Sequence, residues 1–293
     1  MTGVTASPSP PPGPPVVLIT GCSTGFGRLA ALRFGAAGYR VVASMRRPDS
    51  AAGSSLREEA ERRGFSLTTP ALDVTDDASV DAAVSALLTA TGGQIDVLVN
   101  NAGYFFSGPV EETTPDALRG QLETNLVGVL RLCRAVLPAM RARRAGTIIN
   151  VSSISGLVVV PVVGAYHASK FGLEALSEAL RYEVRPFGVK VVLVEPGPYR
   201  TALYDNEQRP PASEVASPYA PLVRAYQREV GRLRRGDPAD VAEAIFRAAT
   251  ARNPRLRWRL GPTSFSGGIL RRLVPDRLYE LIMRWAFRPG PQR

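Results

Sequence analysis

A phenol beside an ammonium can trade a proton near neutral pH, because the positive charge favours the phenolate. Tyr166 and Lys170 stand four residues apart in Tyr166-His167-Ala168-Ser169-Lys170, so on a helix they share a face and their side chains can meet. Only two lysines, Lys170 and Lys190, occur among 36 basic residues, which makes a lysine at this spacing conspicuous. Taken alone, the pair is better read as part of a solvated helix surface. Other catalytic chemistries find little to work with. The only histidine, His167, and the two cysteines, Cys22 and Cys133, are too few for a zinc site of the usual ligands or a disulfide framework. A Ser-His-Asp triad would have to recruit His167, the neighbour of Tyr166.

A second group of residues suits a phosphate. The apolar run 16–20 enters Gly21-Cys22-Ser23-Thr24-Gly25-Phe26-Gly27, and a helical pattern follows over 28–37. Glycines let the backbone approach a pyrophosphate, and the helix N-terminus adds free N–H groups and a positive dipole end. The run 40–44 then ends in Met45-Arg46-Arg47. In a dinucleotide fold an acidic residue here would accept from a ribose 2′-hydroxyl. Arg46 instead offers a guanidinium, which matches a 2′-phosphate in charge and geometry, while Ser23 and Thr24 can add hydroxyl contacts. The expected cofactor is NADP(H), with NAD(H) the alternative.

These residues need a scaffold. Apolar runs at 16–20, 40–44, 65–74, 95–99, 146–151 and 189–194 read as strands. Helical patterns alternate with them: 50–63, 75–90 capped by Thr75, a long one over 115–143, and 166–187. The pattern calls for an α/β architecture with a doubly wound parallel sheet, in three α/β/α layers. The candidate polar groups (Gly21 to Gly27, Asp73, Asn101, Ser153, Pro196-Gly197) all fall just past a strand's C-terminal end, where such folds bind ligands. Asn125 interrupts the apolar side of the long helix, between Leu122, Leu126 and Val129, and demands a hydrogen-bonded partner.

Order and spacing together resemble the short-chain dehydrogenase/reductase family in its one-domain branch. The matching positions are Thr20-Gly21-x-x-x-Gly25-x-Gly27, Asn100-Asn101-Ala102-Gly103, Asn125, Ser153 thirteen positions before Tyr166, Lys170, and Pro196-Gly197 with Thr201. The glycine turn and Arg46 resemble its NADP-linked 17β-hydroxysteroid and retinol dehydrogenase-like members. The resemblance implies a Rossmann fold and hydride transfer between a nicotinamide and a carbonyl or alcohol carbon. It makes Tyr166 the general acid or base, with Lys170 lowering its pKa and holding the nicotinamide ribose. Ser153 would bind the substrate oxygen, and Asn125 a relay water. Asp73 would contact the adenine, Asn101 and Gly103 would line the cofactor cleft, and Thr201 would stand on the nicotinamide or pyrophosphate side with Pro196-Gly197. Ser152 is the rival of Ser153 and is expected to point the other way; His167 is expected to be structural. Tyr199 departs from the small aliphatic residue common after Pro-Gly.

The net charge of +10 raises nucleic acid, a membrane surface or an anionic cofactor as partners. The arginines are scattered without a nucleic-acid motif, so no nucleic-acid role is expected. Residues 1–15 read as a Pro-rich disordered tail without the apolar core of a signal peptide, and no run is long enough to span a membrane, which suggests a cytoplasmic protein. The catalytic domain is expected over 16–260. Within it lie a substrate loop at about 198–217, helices over 218–235 and 238–252, and a last strand over 255–260. A loop over 261–268 and a helical extension to 293 would follow, covering the substrate cleft or an interface. Residues 276–288 form an amphipathic helix: Leu278, Leu281, Ile282, Trp285 and Ala286 make one stripe, with Arg277, Glu280, Arg284 and Arg288 opposite. Burial on the protein is the leading reading and peripheral membrane contact the second. Tyr104, Phe105, Phe106, Leu157, Val158 and Val159 suggest a lipophilic carbonyl or alcohol. A homodimer or homotetramer is expected. The alternative function is a non-catalytic dinucleotide sensor on the same scaffold.

Overall fold

The computed structural model describes residues 13–203, 207–210 and 217–288. The chain runs β1 (Val16–Thr20), α1 (Gly25–Ala36), β2 (Arg40–Ser44), α2 (Ala51–Arg62), β3 (Leu67–Thr68), α3 (Asp77–Ala90), β4 (Val97–Asn100), α4 (Pro115–Leu122), α5 (Gly128–Arg143), β5 (Gly146–Val151), α6 (Gly164–Val184), β6 (Val189–Pro196), α7 (Ala220–Arg232), α8 (Pro238–Thr250), β7 (Arg257–Leu260), α9 (Pro262–Leu273) and α10 (Asp276–Ala286). The seven strands form one parallel sheet in the order β3-β2-β1-β4-β5-β6-β7. The chain winds outward from β1 in one direction and then, from β4, in the other. The crevice between β1 and β4 is therefore the topological switch point at which such sheets bind ligands.

All five residues of β1 are buried, as a central strand covered on both faces requires. One face packs Ala30 and Phe34 of α1, Leu56 of α2, and Val241, Ile245 and Ala248 of α8. The other packs Val80 and Val84 of α3, Leu132, Val136 and Met140 of α5, and Leu173 and Val184 of α6. A third apolar cluster, Phe105, Val162, Val163, Tyr166 and Tyr226, lies above the strand ends, with Leu203, Val230 and Phe287 packed against it.

Several boundaries differ from expectation. The third strand is two residues long with one bridge at Ala71, rather than filling 65–74; Pro70 between them has no N–H to give a ladder. Helix α3 is capped by Asp76, whose carboxylate accepts from the Ala78 N–H at 2.9 Å. Thr75 instead donates its N–H and hydroxyl to Asp73 Oδ1. The long helix over 115–143 is broken at Glu123–Val127 by a turn of π-helix, an insertion common at functional sites. The stretch expected as a loop over 261–268 is helical. Gly267 and Gly268 discourage a helix by propensity, but they let α9 approach closely: a Cβ on either would stand 3.1 Å from Ile154 Cδ1 or Leu157 Cδ1 respectively. The expected tail falls largely on residues 1–12, and much of the expected substrate loop on 204–206 and 211–216, all outside the described residues.

Candidate active site

The glycine turn after β1 is built for close approach. Gly21 and Gly25 have φ of +72° and +59°, where a side chain is strained. Thr20 anchors the turn to β4: its Oγ1 accepts from the N–H groups of Asn101 and Ala102 at 3.1 and 3.0 Å. Asn101 in turn donates through Nδ2 to the carbonyls of Thr20 and Gly21 at 2.9 and 3.1 Å. Thr24 stands at the N-cap of α1 without a side-chain cap bond, and Thr24, Gly25 and Phe26 at this helix start border the cleft. A pyrophosphate fits such a cradle.

Strand β5 delivers Ser153 in extended conformation, and its Oγ accepts from the Ser155 N–H at 3.1 Å. Helix α6 begins two residues before Tyr166. Val162, just ahead of it, holds a φ of +75°, unusual for a β-branched residue, while its carbonyl accepts from the Gly108 N–H at 2.6 Å. Tyr166 is buried edge-to-face against Phe105, with ring centroids 4.8 Å apart. Lys170 lies one turn on, its Nζ 5.7 Å from the Tyr166 ring centroid and donating to the Val151 carbonyl at 2.9 Å. Burial pushes the Lys170 ammonium down to about 8, against the opposing pull of Glu174.

The π turn places Asn125 in the core, where both ends of its side-chain amide are hydrogen-bonded. Oδ1 accepts from the Tyr104 N–H, and Nδ2 reaches the Tyr104 carbonyl and Ser169 Oγ, at 3.1, 3.1 and 3.2 Å. Gln121, one turn earlier, holds the same loop through Phe106 N–H and the Tyr104 carbonyl.

One cleft of about 1330 Å³ collects nearly every candidate residue: Gly21, Ser23, Thr24, Gly25, Phe26, Arg46, Asp73, Asn101, Gly103, Asn125, Ser153, Tyr166, Lys170, Pro196, Gly197 and Thr201 all line it. That exceeds the space one drug-sized ligand takes and leaves room for a dinucleotide and a substrate together. Gly27 is the exception. It lies behind the turn, where a Cβ would meet Asn101 Nδ2 and the Gly21 carbonyl at 2.5 Å each. Asp73 sits near Arg46, and its carboxyl is held below the usual range chiefly by the Thr75 bonds, which outweigh its burial, with Arg46 assisting. Of the apolar candidates, Tyr104, Phe105 and Val158 line the cleft. Phe106 is buried beside Gln208, Leu157 packs against α9, and Val159 faces solvent. Ser152 also borders the cleft, but its Oγ is buried and has no hydrogen-bond partner. Tyr199 packs edge-to-face on Phe26 at 5.8 Å.

His167 clamps the loop that follows Ser153. Nδ1 meets the Ser155 carbonyl at 2.9 Å, and Nε2 accepts from the Val160 N–H at 3.1 Å. The pair of bonds requires the neutral ring protonated on Nδ1, and burial lowers the His167 pKa accordingly.

The cleft is roofed by Tyr226, Val230 and Leu233 near α7 and by Met283, Ala286 and Phe287 near α10. A C-terminal extension over the substrate cleft or an interface is expected from the sequence, and α10 lies over the cleft; the share taken by α7 is not expected, nor is a charge network. Behind α6, Arg257 links Glu174 and the fully buried Glu195 at 3.0 and 3.2 Å, and Arg259 meets Glu195 at 3.2 Å. Burial, then repulsion from Glu174, pushes the Glu195 carboxyl up to about 7. No motif announces a network assembled from three separate elements.

Comparison with known proteins agrees with this geometry. The short chain dehydrogenase family model matches residues 15–211. The uncharacterized oxidoreductase YusZ of Bacillus subtilis is 38% identical over 280 residues, covering 92% of this chain and 97% of that one. A 3-ketodihydrosphingosine reductase of Bacteroides thetaiotaomicron is 36% identical over 254 residues (85% and 88%). Human 17-beta-hydroxysteroid dehydrogenase type 1 is 37% identical over 255 residues (83% and 76%). Two solved structures are similar. A metagenomic short-chain oxidoreductase in complex with NADP has a TM-score of 0.68 at 29% identity (86% and 98% covered). A short-chain dehydrogenase/reductase of Burkholderia phymatum in complex with NAD has a TM-score of 0.78 at 26% identity (96% and 98%). The chain belongs to the short-chain dehydrogenase/reductase family. It is an oxidoreductase that uses a nicotinamide dinucleotide. Among the described residues no helix is long and apolar enough to cross a membrane.

Proposed function

We propose that the protein is an NADP(H)-dependent reductase or dehydrogenase acting on the carbonyl or secondary alcohol of a lipophilic substrate. The observation that carries this reading is the convergence of Ser153, Tyr166 and Lys170 on the cleft that also holds the glycine turn and Arg46. The nicotinamide, when bound, supplies or accepts the hydride. In reduction the Tyr166 hydroxyl gives its proton to the substrate oxygen; in oxidation Tyr166 removes it. The Lys170 ammonium, one helical turn away, favours the phenolate and offers a donor to a ribose hydroxyl. Ser153 Oγ donates to the substrate oxygen as charge develops there. Asn125 acts indirectly, by fixing the backbone at Tyr104.

Arg46 is exposed at the cleft rim, and Met45 beside it is apolar, so this strand end offers a cation and no carboxylate to the adenosine ribose. That supports NADP(H). The apolar roof from Phe105, Tyr226, Val230 and Phe287 supports a lipophilic substrate, and the reductase of ketodihydrosphingosine and the hydroxysteroid dehydrogenase among the relatives point the same way. Assembly as a dimer or tetramer belongs to the same reading and draws on exposed Leu130 and Phe171, on α5 and α6.

The test is NADPH and NADH oxidation across aldehydes, ketones and keto-steroids. We expect turnover with NADPH, strongest on long-chain or polycyclic carbonyls. Arg46→Asp is expected to move selectivity toward NADH by about ten- to a hundredfold, the value of one charge-assisted contact. Cofactor binding without turnover on the whole panel would favour the sensor reading, and unchanged selectivity in Arg46→Asp would refute the role given to Arg46.

A further inference from the structure

Helix α10 has two apolar faces rather than the single stripe expected, and the described residues cover only one of them. On the inner face, Met283, Ala286 and Phe287 line the cleft, Phe287 stacks on Tyr226 at 6.5 Å, and the Tyr279 hydroxyl donates to the Val159 carbonyl at 3.0 Å. On the outer face, Leu278, Leu281 and Trp285 are 50%, 60% and 80% exposed. At roughly 100° per residue these three fall within an arc of about 60°, with Arg277 and Arg284 directly alongside and Asp276 and Glu280 further round. The preceding helix adds exposed Leu270 and Leu273 together with Arg271 and Arg272. It is joined to α10 by the Arg271–Asp276 ion pair at 2.8 Å and by Arg271 over the Tyr279 ring at 4.9 Å.

We propose that α9 and α10 dock the protein on an anionic lipid bilayer. Leu278, Leu281 and Trp285 enter the acyl boundary, and the neighbouring arginines lie at the phosphate level. A contiguous ridge of large apolar side chains in water is unfavourable unless something covers it, and the opposite face of the same helix already serves as the cleft roof. Charge selects the occupant. Both acidic residues of α10 lie away from the ridge and are paired, Asp276 with Arg271 and Glu280 with Arg284, which leaves Arg277 beside the ridge without a carboxylate partner among the described residues and gives the α9–α10 face a net positive charge with Arg272. A second copy docked by two-fold symmetry would set arginine against arginine, whereas anionic headgroups neutralise them. A helix with leucine and tryptophan on one side and arginine beside them suits an interface rather than a span. Docked this way, the cleft roof lies directly beneath the bilayer contact. The consequence for substrate delivery, that a lipophilic carbonyl passes between bilayer and cleft past α10, rests on the function proposed above; the docking does not.

The experiment is co-sedimentation of the full chain with vesicles of pure phosphatidylcholine and of equal parts phosphatidylcholine and phosphatidylglycerol, with tryptophan emission read alongside. Trp285 is exposed and the other tryptophan, Trp258, is half-buried, so a blue shift reports chiefly on α10. The wild-type protein is expected to bind the anionic vesicles with a blue shift. The double variant Leu281→Ser, Trp285→Ser should bind them about tenfold more weakly or worse. Arg277→Glu with Arg284→Glu should erase the preference for anionic lipid. Both variants alter exposed positions and should keep the wild-type circular dichroism spectrum, the charge reversal losing only the surface pair of Arg284 with Glu280. Failure of the wild type to bind, or equal binding by the variants, overturns the proposal. So does a dimer that dissociates in the Leu281→Ser, Trp285→Ser variant, which would assign the ridge to a second copy. None of these readouts depends on turnover, so they stand or fall apart from the catalytic reading.

Discussion

Lys170 is held charged at a cost, and the cost can be measured by removing it. Its side chain is 7% exposed, and burial lowers its pKa from 10.5 to about 8. That difference corresponds to about 3 kcal/mol against the charged form in the folded protein. Methionine has similar length and no charge. Lys170→Met relieves the penalty but gives up the charge-assisted bond to the Val151 carbonyl, worth about 1.5–3 kcal/mol. The cofactor-free variant should therefore match the wild type or exceed its stability by up to about 1.5 kcal/mol at pH 7, while losing turnover. The pH dependence carries the sharper signature. Below about pH 8 Lys170 is charged in both folded and unfolded chains, and the penalty is fully present. Between about 8 and 10.5 the unfolded chain binds more protons than the folded one, so wild-type stability rises with pH relative to the variant. By pH 10.5 any advantage of the variant is gone. Urea unfolding of both proteins at pH 7 and near pH 10 measures it. A variant less stable than wild type at pH 7, or a difference that does not change with pH, would refute the reasoning.

Two further substitutions probe the scaffold of the site. Gly27→Ala drives a Cβ to 2.5 Å from the Gly21 carbonyl and Asn101 Nδ2. We expect a loss of about 1–3 kcal/mol from overpacking and weaker NADPH binding, read by thermal unfolding and fluorescence titration; an unchanged melt would contradict the packing described. Asn125→Leu strands the N–H of Tyr104, whose carbonyl keeps its bond from Gln121 Nε2, and should cost about 1–3 kcal/mol. A loss too small to measure by urea unfolding would mean that the loop finds other partners.

The sheet and its ligand edge were legible because buried parallel strands read as continuous apolar runs and the candidate polar residues cluster just after them. Strand β5 falls on the residues expected of it, Gly146–Val151. Elements whose form depends on a tertiary neighbour were not legible. Helix α9 carries two central glycines that only the contacts with Ile154 and Leu157 justify. Asn125 announced itself as a polar residue among apolar ones, yet neither its partner Tyr104 nor the π turn that delivers it can be read from spacing. The stripe on α10 was visible, but its division into a face over the cleft and a face in water depends on where the helix lands.

The central claim is that Tyr166 handles the proton of the reaction in the cleft it shares with the dinucleotide. Tyr166→Phe keeps the ring and its packing on Phe105 and removes only the hydroxyl. With a substrate validated on the carbonyl panel, turnover of this variant should fall to background while NADPH binding by titration stays within a few-fold of wild type. Wild-type turnover by Tyr166→Phe would contradict the account.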